Sequence, residues 1–322
     1  MLTRRTALGA MIGLVAVRGA QAQSFPSRPI TIVVPYPAGG PVDVTARLIA
    51  QSVGSTLGQP MTVDNRGGGA GVIGSVAVQH AEPDGHTLIL GTNQTHATNQ
   101  SLLKNCPYDA VKDFSAVAGI ADIPHVLVVR RGLDAENVGA LISLARKSPG
   151  ALNYASTGVG SASHLAAELF KTRAGVNLQH IPFRGSAPMT TELLAGRIDL
   201  TFATLPSVIS HIDTGAVRAL AVASARRASR LPNLPTLAEA GVPGYEATIW
   251  IGVMAPAGTP RGIVDTLNRE INKILSRPEI KESWRRQGTN TMVMTPEEFG
   301  RYIEAEIERW AKLIKANNIG VN

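Results

Sequence analysis

Hydrophobic and polar positions along the chain alternate between two periods. Residues 30–34 form a short β-branched run, the mark of a buried strand, and over 42–57 Ala46, Ile49 and Val53 recur on one helical face. A strand at 61–63, a helix at 72–80 and a strand at 87–90 continue the pattern. A second series starts near His125, with a strand at 126–129, a helix at 138–147 and a strand at 152–155. It runs on through a helix at 161–172, a strand at 178–181, a helix at 187–195 and a strand at 198–202. Strands alternating with helices of this kind predict parallel α/β sheets. The last third differs. A strand at 219–222 leads into a Pro/Gly-punctuated stretch at 231–244, then a strand at 250–254 and mostly helix. Thr295-Pro296-Glu297-Glu298 is a capping box with Pro at the first helical position. Phe299, Ile303, Trp310 and Ile314 fall on one face behind it, which predicts a closing helix packed back onto an earlier domain.

The first residues belong to another category. Arg4 and Arg5 precede an apolar run at 7–17 and then Ala20-Gln21-Ala22, the three regions of an export signal. The run is too short for a bilayer, which takes about 20 residues. Cleavage after Ala22 leaves 300 residues, comfortable for two domains. Removing the three leader arginines lowers the formal charge from +7 to +4, with no dense basic run, so nucleic acid is not an expected partner. Cys106 is the only cysteine, so an exported chain of this kind has no internal disulfide and must rely on its core.

Gly69, Gly71 and Gly74 spell G-x-G-x-x-G, which raises a dinucleotide cofactor as a question. The fingerprint also needs an acidic residue about 20 positions on, at the end of the next strand. That strand runs out into Gly91-Thr92-Asn93, without the acid. A tight helix entrance is the better reading, and no cofactor is expected. No H-E-x-x-H or paired histidine spacing suggests a metal, and no G-x-S-x-G suggests a hydrolase. Ser101 and Lys104 match S-x-x-K without its companion motifs.

Ligands in open α/β sheets bind beyond the C-terminal ends of strands. Three glycine-bearing helix entrances occupy such places: PYPAGGPVD at 35–43, STGVGSASH at 156–164 and PFRGSAP at 182–188, the last with Arg184 and Gly185. Free N–H groups at a helix start favour an anion. Two such loops, one from each α/β series, read as a carboxylate clamp.

These segments resemble the substrate-binding receptors of tripartite tricarboxylate transporters, often called Bug receptors. The resemblance covers nearly all of the mature chain. It rests on VPYPAGGPVDVTARLIA, DNRGGGAGVIGS, EPDGHTLILGT, STGVGSASHLAAELF, IPFRGSAPMTTELLAGRIDLTF and APAGTP, in the family's order and spacing. Gly67 stands where the family usually has Pro. The resemblance implies an α/β type II periplasmic-binding-protein fold, two lobes with a ligand cleft and two hinge crossovers near 120–124 and 221–225. Lobe I would comprise 23–122 plus 225–322, and lobe II 123–224. It implies a ligand carboxylate gripped by main-chain groups and waters at Tyr36, Ala38, Gly39 and Gly40 from one lobe and Ser156, Thr157, Gly158 and Ser161 from the other. Thr92 and His96 would touch the distal end.

Outside the clamp, Asp43 is expected to complement a helix dipole, Asp199 to be a buried structural acid, and Trp250 to lie in the core. Arg184 fits either a ligand carboxylate or a surface ion pair. The expected protein is a periplasmic, non-enzymatic receptor, monomeric, serving either membrane transport subunits or a signalling partner. An exported enzyme is the remaining alternative.

Overall fold

The computed structural model describes residues 25–320. The export-signal reading therefore lies outside the described residues. Three strands open the chain: β1 (Ile30–Val34), β2 (Met61–Asn65) and β3 (Thr87–Thr92), with helices α1 (Pro41–Leu57) and α2 (Val72–Gln79) between them. Parallel pairing sets β1 between β2 and β3. After the short α3 (Asn99–Leu102) comes β4 (Phe114–Arg130), a strand of 17 residues. The second series follows as α4 (Val138–Lys147), β5 (Asn153–Ser156), α5 (Ala162–Ala174), β6 (Gln179–Pro182), α6 (Ser186–Leu194), β7 (Leu200–Thr204), α7 (Leu205–Asp213) and β8 (Val217–Val222). The chain closes with β9 (Thr248–Pro256), α8 (Arg261–Leu275), α9 (Pro278–Arg286), β10 (Asn290–Thr291) and α10 (Pro296–Ala316).

The strand order β2-β1-β3-β9-β4-β7-β5-β6 joins two sheets through β4. From Phe114 to Pro124 this strand pairs with β9; from His125 onward it pairs with β7 and β8. Pro124 has no N–H to give a ladder, and it stands where the ladder changes partners. The first crossing between lobes is thus inside β4. The second falls later than the 221–225 that the resemblance implies. Residues 223–247 stay with the second sheet: Ala228 packs in the cluster of Val126, Leu205 and Val208, and the Tyr245 hydroxyl donates to Ala166 O at 2.6 Å. Only at Thr248, opposite Pro124, does the chain enter β9. We propose lobe II at 125–247 in place of 123–224, because Leu237, Val242 and Tyr245 pack with Leu127 and Phe202.

Lobe I buries Ile30, Ile32 and Val34 with Leu88, Leu90, Ile251 and Val253 under α1 and α8. The opposite sheet face packs under α10, whose Phe299, Ile303, Trp310 and Ile314 are all buried. Its capping box is present in full, with Glu298 N donating to Thr295 Oγ1 and Thr295 N to Glu298 Oε2. Gly91, Gly252 and Gly119 lie side by side on β3, β9 and β4, and receive His96, Phe299 and Met292. The glycines of the G-x-G-x-x-G segment serve close packing too. A Cβ on Gly74 would meet Pro35 at 2.9 Å, and one on Gly71 would meet Thr95 at 2.5 Å. Among the described residues no helix is long and apolar enough to cross a membrane.

Candidate functional site

The loop from Pro35 to Gly40 leaves β1 and turns into α1, and a buried acid sets its shape. Asp43 accepts Gly39 N–H at 2.9 Å, Arg47 Nε and Nη2 at 3.0 Å each, and Asn65 Nδ2 at 3.0 Å. Asn65 Nδ2 also donates to Tyr36 O at 3.2 Å, fixing the loop to the end of β2. The hydrogen bonds from Arg47 hold the Asp43 carboxyl ionised, its pKa lowered to about 2. Pairing with Arg47 also keeps this negative charge from opposing an anion at the same helix start. Pro41 has no N–H, and Val44 N–H bonds Gly40 O at 3.0 Å. Val42 and Asp43 N–H are therefore the first-turn donors without a carbonyl one turn back.

The facing loop from β5 into α5 is tied by hydroxyls. Thr157 N–H donates to Ser163 Oγ at 2.9 Å, and Ser163 Oγ lies 3.1 Å from the hydroxyls of both Thr157 and Ser161. Ser161 caps the helix, accepting His164 N–H at 3.3 Å. Thr157 and Gly158 N–H are thus already engaged within the loop, Gly158 with Ser156 Oγ at 3.1 Å. The donors left for an anion on this side are Ala162 and Ser163 N–H, with the hydroxyls beside them. Ser163→Ala should weaken ligand binding more than Ser161→Ala, because it also takes the partner from the half-buried Thr157 N–H. Calorimetry should show a loss of about 2- to 10-fold, the net worth of one hydrogen bond.

Between the two loops lies a cleft of about 540 Å³. Tyr36, Ala38, Gly39, Gly40 and Thr92 line it from lobe I, and Thr157 and Ser161 from lobe II. Tyr36 Oη and Thr92 Oγ1 are 2.7 Å apart, and burial pushes the phenol up to about 12, so it remains a neutral donor. Five expected residues are not among the lining. His96 is fully buried in a π-turn (Gln94–Thr98), its ring 4.6 Å from that of Phe114 and its Nδ1 2.8 Å from Thr95 Oγ1. It fills the space left by side-chain-free Gly91 instead of facing a ligand. Ser156 shares a strand face with Tyr154 and points under the loop, its Oγ 2.7 Å from His180 Nε2. Ser156 is fully buried, and its pairing with the half-buried His180 supports the loop. Gly158 lies behind Thr157. Arg184 is exposed, and Gly185 precedes Ser186, which reaches the lining in its place.

The residues that the expectation omitted include the apolar Ile123, Met189, Phe202, Ile249, Ile251, Val42 and Pro206, and the polar His125, Asn93, Gln94 and Thr204. The apolar ones carry strand and helix periodicity that core residues also carry, so no local signal separates them. No Asp, Glu, Lys or Arg is among the lining residues. Asp199 is tied to Arg130 Nε at 2.9 Å and to Asn153 N–H, and Trp250 is core.

Behind the lobe II loop, Tyr154, His180 and His164 stack, the two imidazoles 4.0 Å apart. Gly160 N–H donates to His164 Nδ1 at 3.0 Å, which requires that nitrogen to be unprotonated. His164 Nε2 is 4.0 Å from Glu168 Oε1, which Lys171 pairs at 2.7 Å. Burial and the neighbouring His164 lower His180 to about 4, and burial lowers His164 as well. Burial alone takes His125 to about 4 and His96 to about 3. In the unfolded chain each titrates near 6.5. The unfolded state thus binds more protons below that pH, and the stability these groups contribute above it is lost as pH falls toward 4. Asp122 and Glu306, raised by burial, act oppositely but number two against four. The ligand-free protein should melt several degrees lower at pH 5 than at pH 7. A flat melting curve across that range would mean that the imidazoles are not held neutral.

Comparison with known proteins places this geometry. Residues 45–319 match the family model described as Tripartite tricarboxylate transporter family receptor. The chain is 38% identical to Protein BugT of Bordetella pertussis over 316 residues, covering 96% of this chain and 97% of that protein. A Rhodopseudomonas palustris protein solved with adipate superposes with a TM-score of 0.83 at 41% identity, over 92% of this chain and 100% of the other. MatC from the same organism, with bound malate, gives 0.78 at 32% identity, over 90% and 100%.

Proposed function

Because the chain belongs to the tripartite tricarboxylate transporter receptor family, we propose that it captures a small carboxylate between its lobes and delivers it to membrane subunits of that transporter type. The observation that carries the reading is the pairing of two helix entrances, at Gly40 and at Ser161, across one cleft without a charged lining residue. Each helix start carries roughly half a positive charge, so the two together favour one carboxylate held between them. Relatives of similar sequence hold adipate and malate, both carboxylates, which supports the same chemistry here. The receptor works in the periplasm as a monomer, after cleavage following Ala22, and its role is capture and not catalysis.

A thermal-shift panel of carboxylic acids on the mature protein tests the reading. At a ligand concentration 100-fold above Kd the stabilisation is about 2.7 kcal/mol, several degrees for a chain of this size. The absence of a shift with every acid would remove the carboxylate reading. N-terminal sequencing of periplasmic protein tests the processing, with Gln23 the expected first residue.

A further inference from the structure

Resting on the carboxylate reading, the body of the cleft points to a narrower ligand class. Ile123 and Ile249 are cross-strand partners on β4 and β9, at the place where both strands pass between the lobes. Ile251 continues the same surface two residues on, and Met189 and Phe202 close it from lobe II, 1% and 0% exposed. His125, the one imidazole in the lining, is neutral and its Nδ1 lies 3.2 Å from Ala247 O. A short di- or tricarboxylate would carry its second charge into this apolar surface with no cation to meet it. Burying an unpaired carboxylate is among the costliest events in a protein interior. A methylene or an aromatic ring there would bury apolar surface of the half-buried Ile249, Val42 and Pro206.

We propose that the ligand is a carboxylate with an apolar body, an alkyl chain of about four or more carbons or an aromatic ring, and that Ile123, Ile249, Ile251, Met189 and Phe202 select it. Each added methylene should tighten binding about fourfold until the cleft is filled. The closely charged acids should bind poorly.

Calorimetry on the mature protein with butanoate, hexanoate, phenylacetate, hexanedioate, malate and citrate tests this. The expected order places hexanoate or phenylacetate at least about tenfold tighter than malate and citrate, with hexanedioate between them. Ile249→Thr, at a half-buried position, should keep the fold and narrow that gap. Malate or citrate binding as tightly as the best apolar-bodied acid would overturn the proposal and leave the carboxylate reading in place. An unchanged gap in a folded Ile249→Thr protein would also overturn it. If none of the six acids bound to folded protein, the carboxylate reading itself would fall, and this proposal with it.

Discussion

Gly40→Val should fold and lose at least about 100-fold in ligand affinity, about 2.7 kcal/mol. Its backbone, at φ −79° and ψ 169°, is extended, a conformation that valine adopts readily. A Cβ built at this position meets nothing closer than Pro37 O at 3.7 Å. The fold therefore does not need glycine here, and the added methyl groups stand where the loop borders the cleft, beside the Val42 and Asp43 N–H groups. Valine is a poorer N-cap than glycine, so the melting point should fall by a few degrees at most. Gly39 is a less clean target, because its φ of +84° adds backbone strain to any side chain. Calorimetry and melting of the same preparation separate the effects. Wild-type affinity in a folded Gly40→Val protein would move the binding site away from this loop.

Gly252→Ala should have the largest effect on stability. Its Cβ would overlap the tip of the Phe299 ring at Cζ, and that ring is fully buried and edge-on to Trp250 at 5.5 Å between centroids. Phe299 sits in the first turn of α10, where the capping box fixes the helix start, so the ring has little room to retreat. Overpacking of a rigid site costs about 3 kcal/mol or more at its upper end. That corresponds to roughly 5 °C in melting temperature for a chain of this size. Phe299→Ala should be destabilising alone, yet the double variant should be more stable than the sum of the two losses predicts. Strict additivity in calorimetric melting would show that the two residues do not meet.

The glycine stripe also explains which parts of the fold were legible in the residue pattern. The strand at 30–34 and the helix at 42–57 show their periods openly, because one face of each is packed with branched apolar residues. Only 126–129 of β4 shows as a strand, although it runs from Phe114 to Arg130. Gly119, Asp122 and Pro124 break the apolar run there for reasons that arise elsewhere: Gly119 admits Met292, and Pro124 marks the change of partner. The two helix entrances were legible because glycine, proline and hydroxyl residues at a helix start have few other uses. What those entrances do with their own N–H groups was not, since Ser163 and Asp43 take up donors at Thr157 and Gly39 through contacts set by folding. His96 was misplaced because a π-turn gives no periodic signal. Ile249 and Ile251 resemble core strand residues, and a strand that borders a cleft has the same chemistry as one that borders a helix.

The central claim is that one carboxylate is held from both lobes at once. A ligand moves an open–closed equilibrium only through its different affinity for the two states. Contacts from Gly40 and Val42 alone would bind without closure; adding Ala162 and Ser163 favours the closed form. Small-angle scattering of the mature protein, with and without the tightest acid from the thermal-shift panel, measures this directly. The account predicts a smaller radius of gyration at saturating ligand, with the change absent in Gly40→Val at the same concentration. An unchanged radius at full occupancy in the wild-type protein would contradict it.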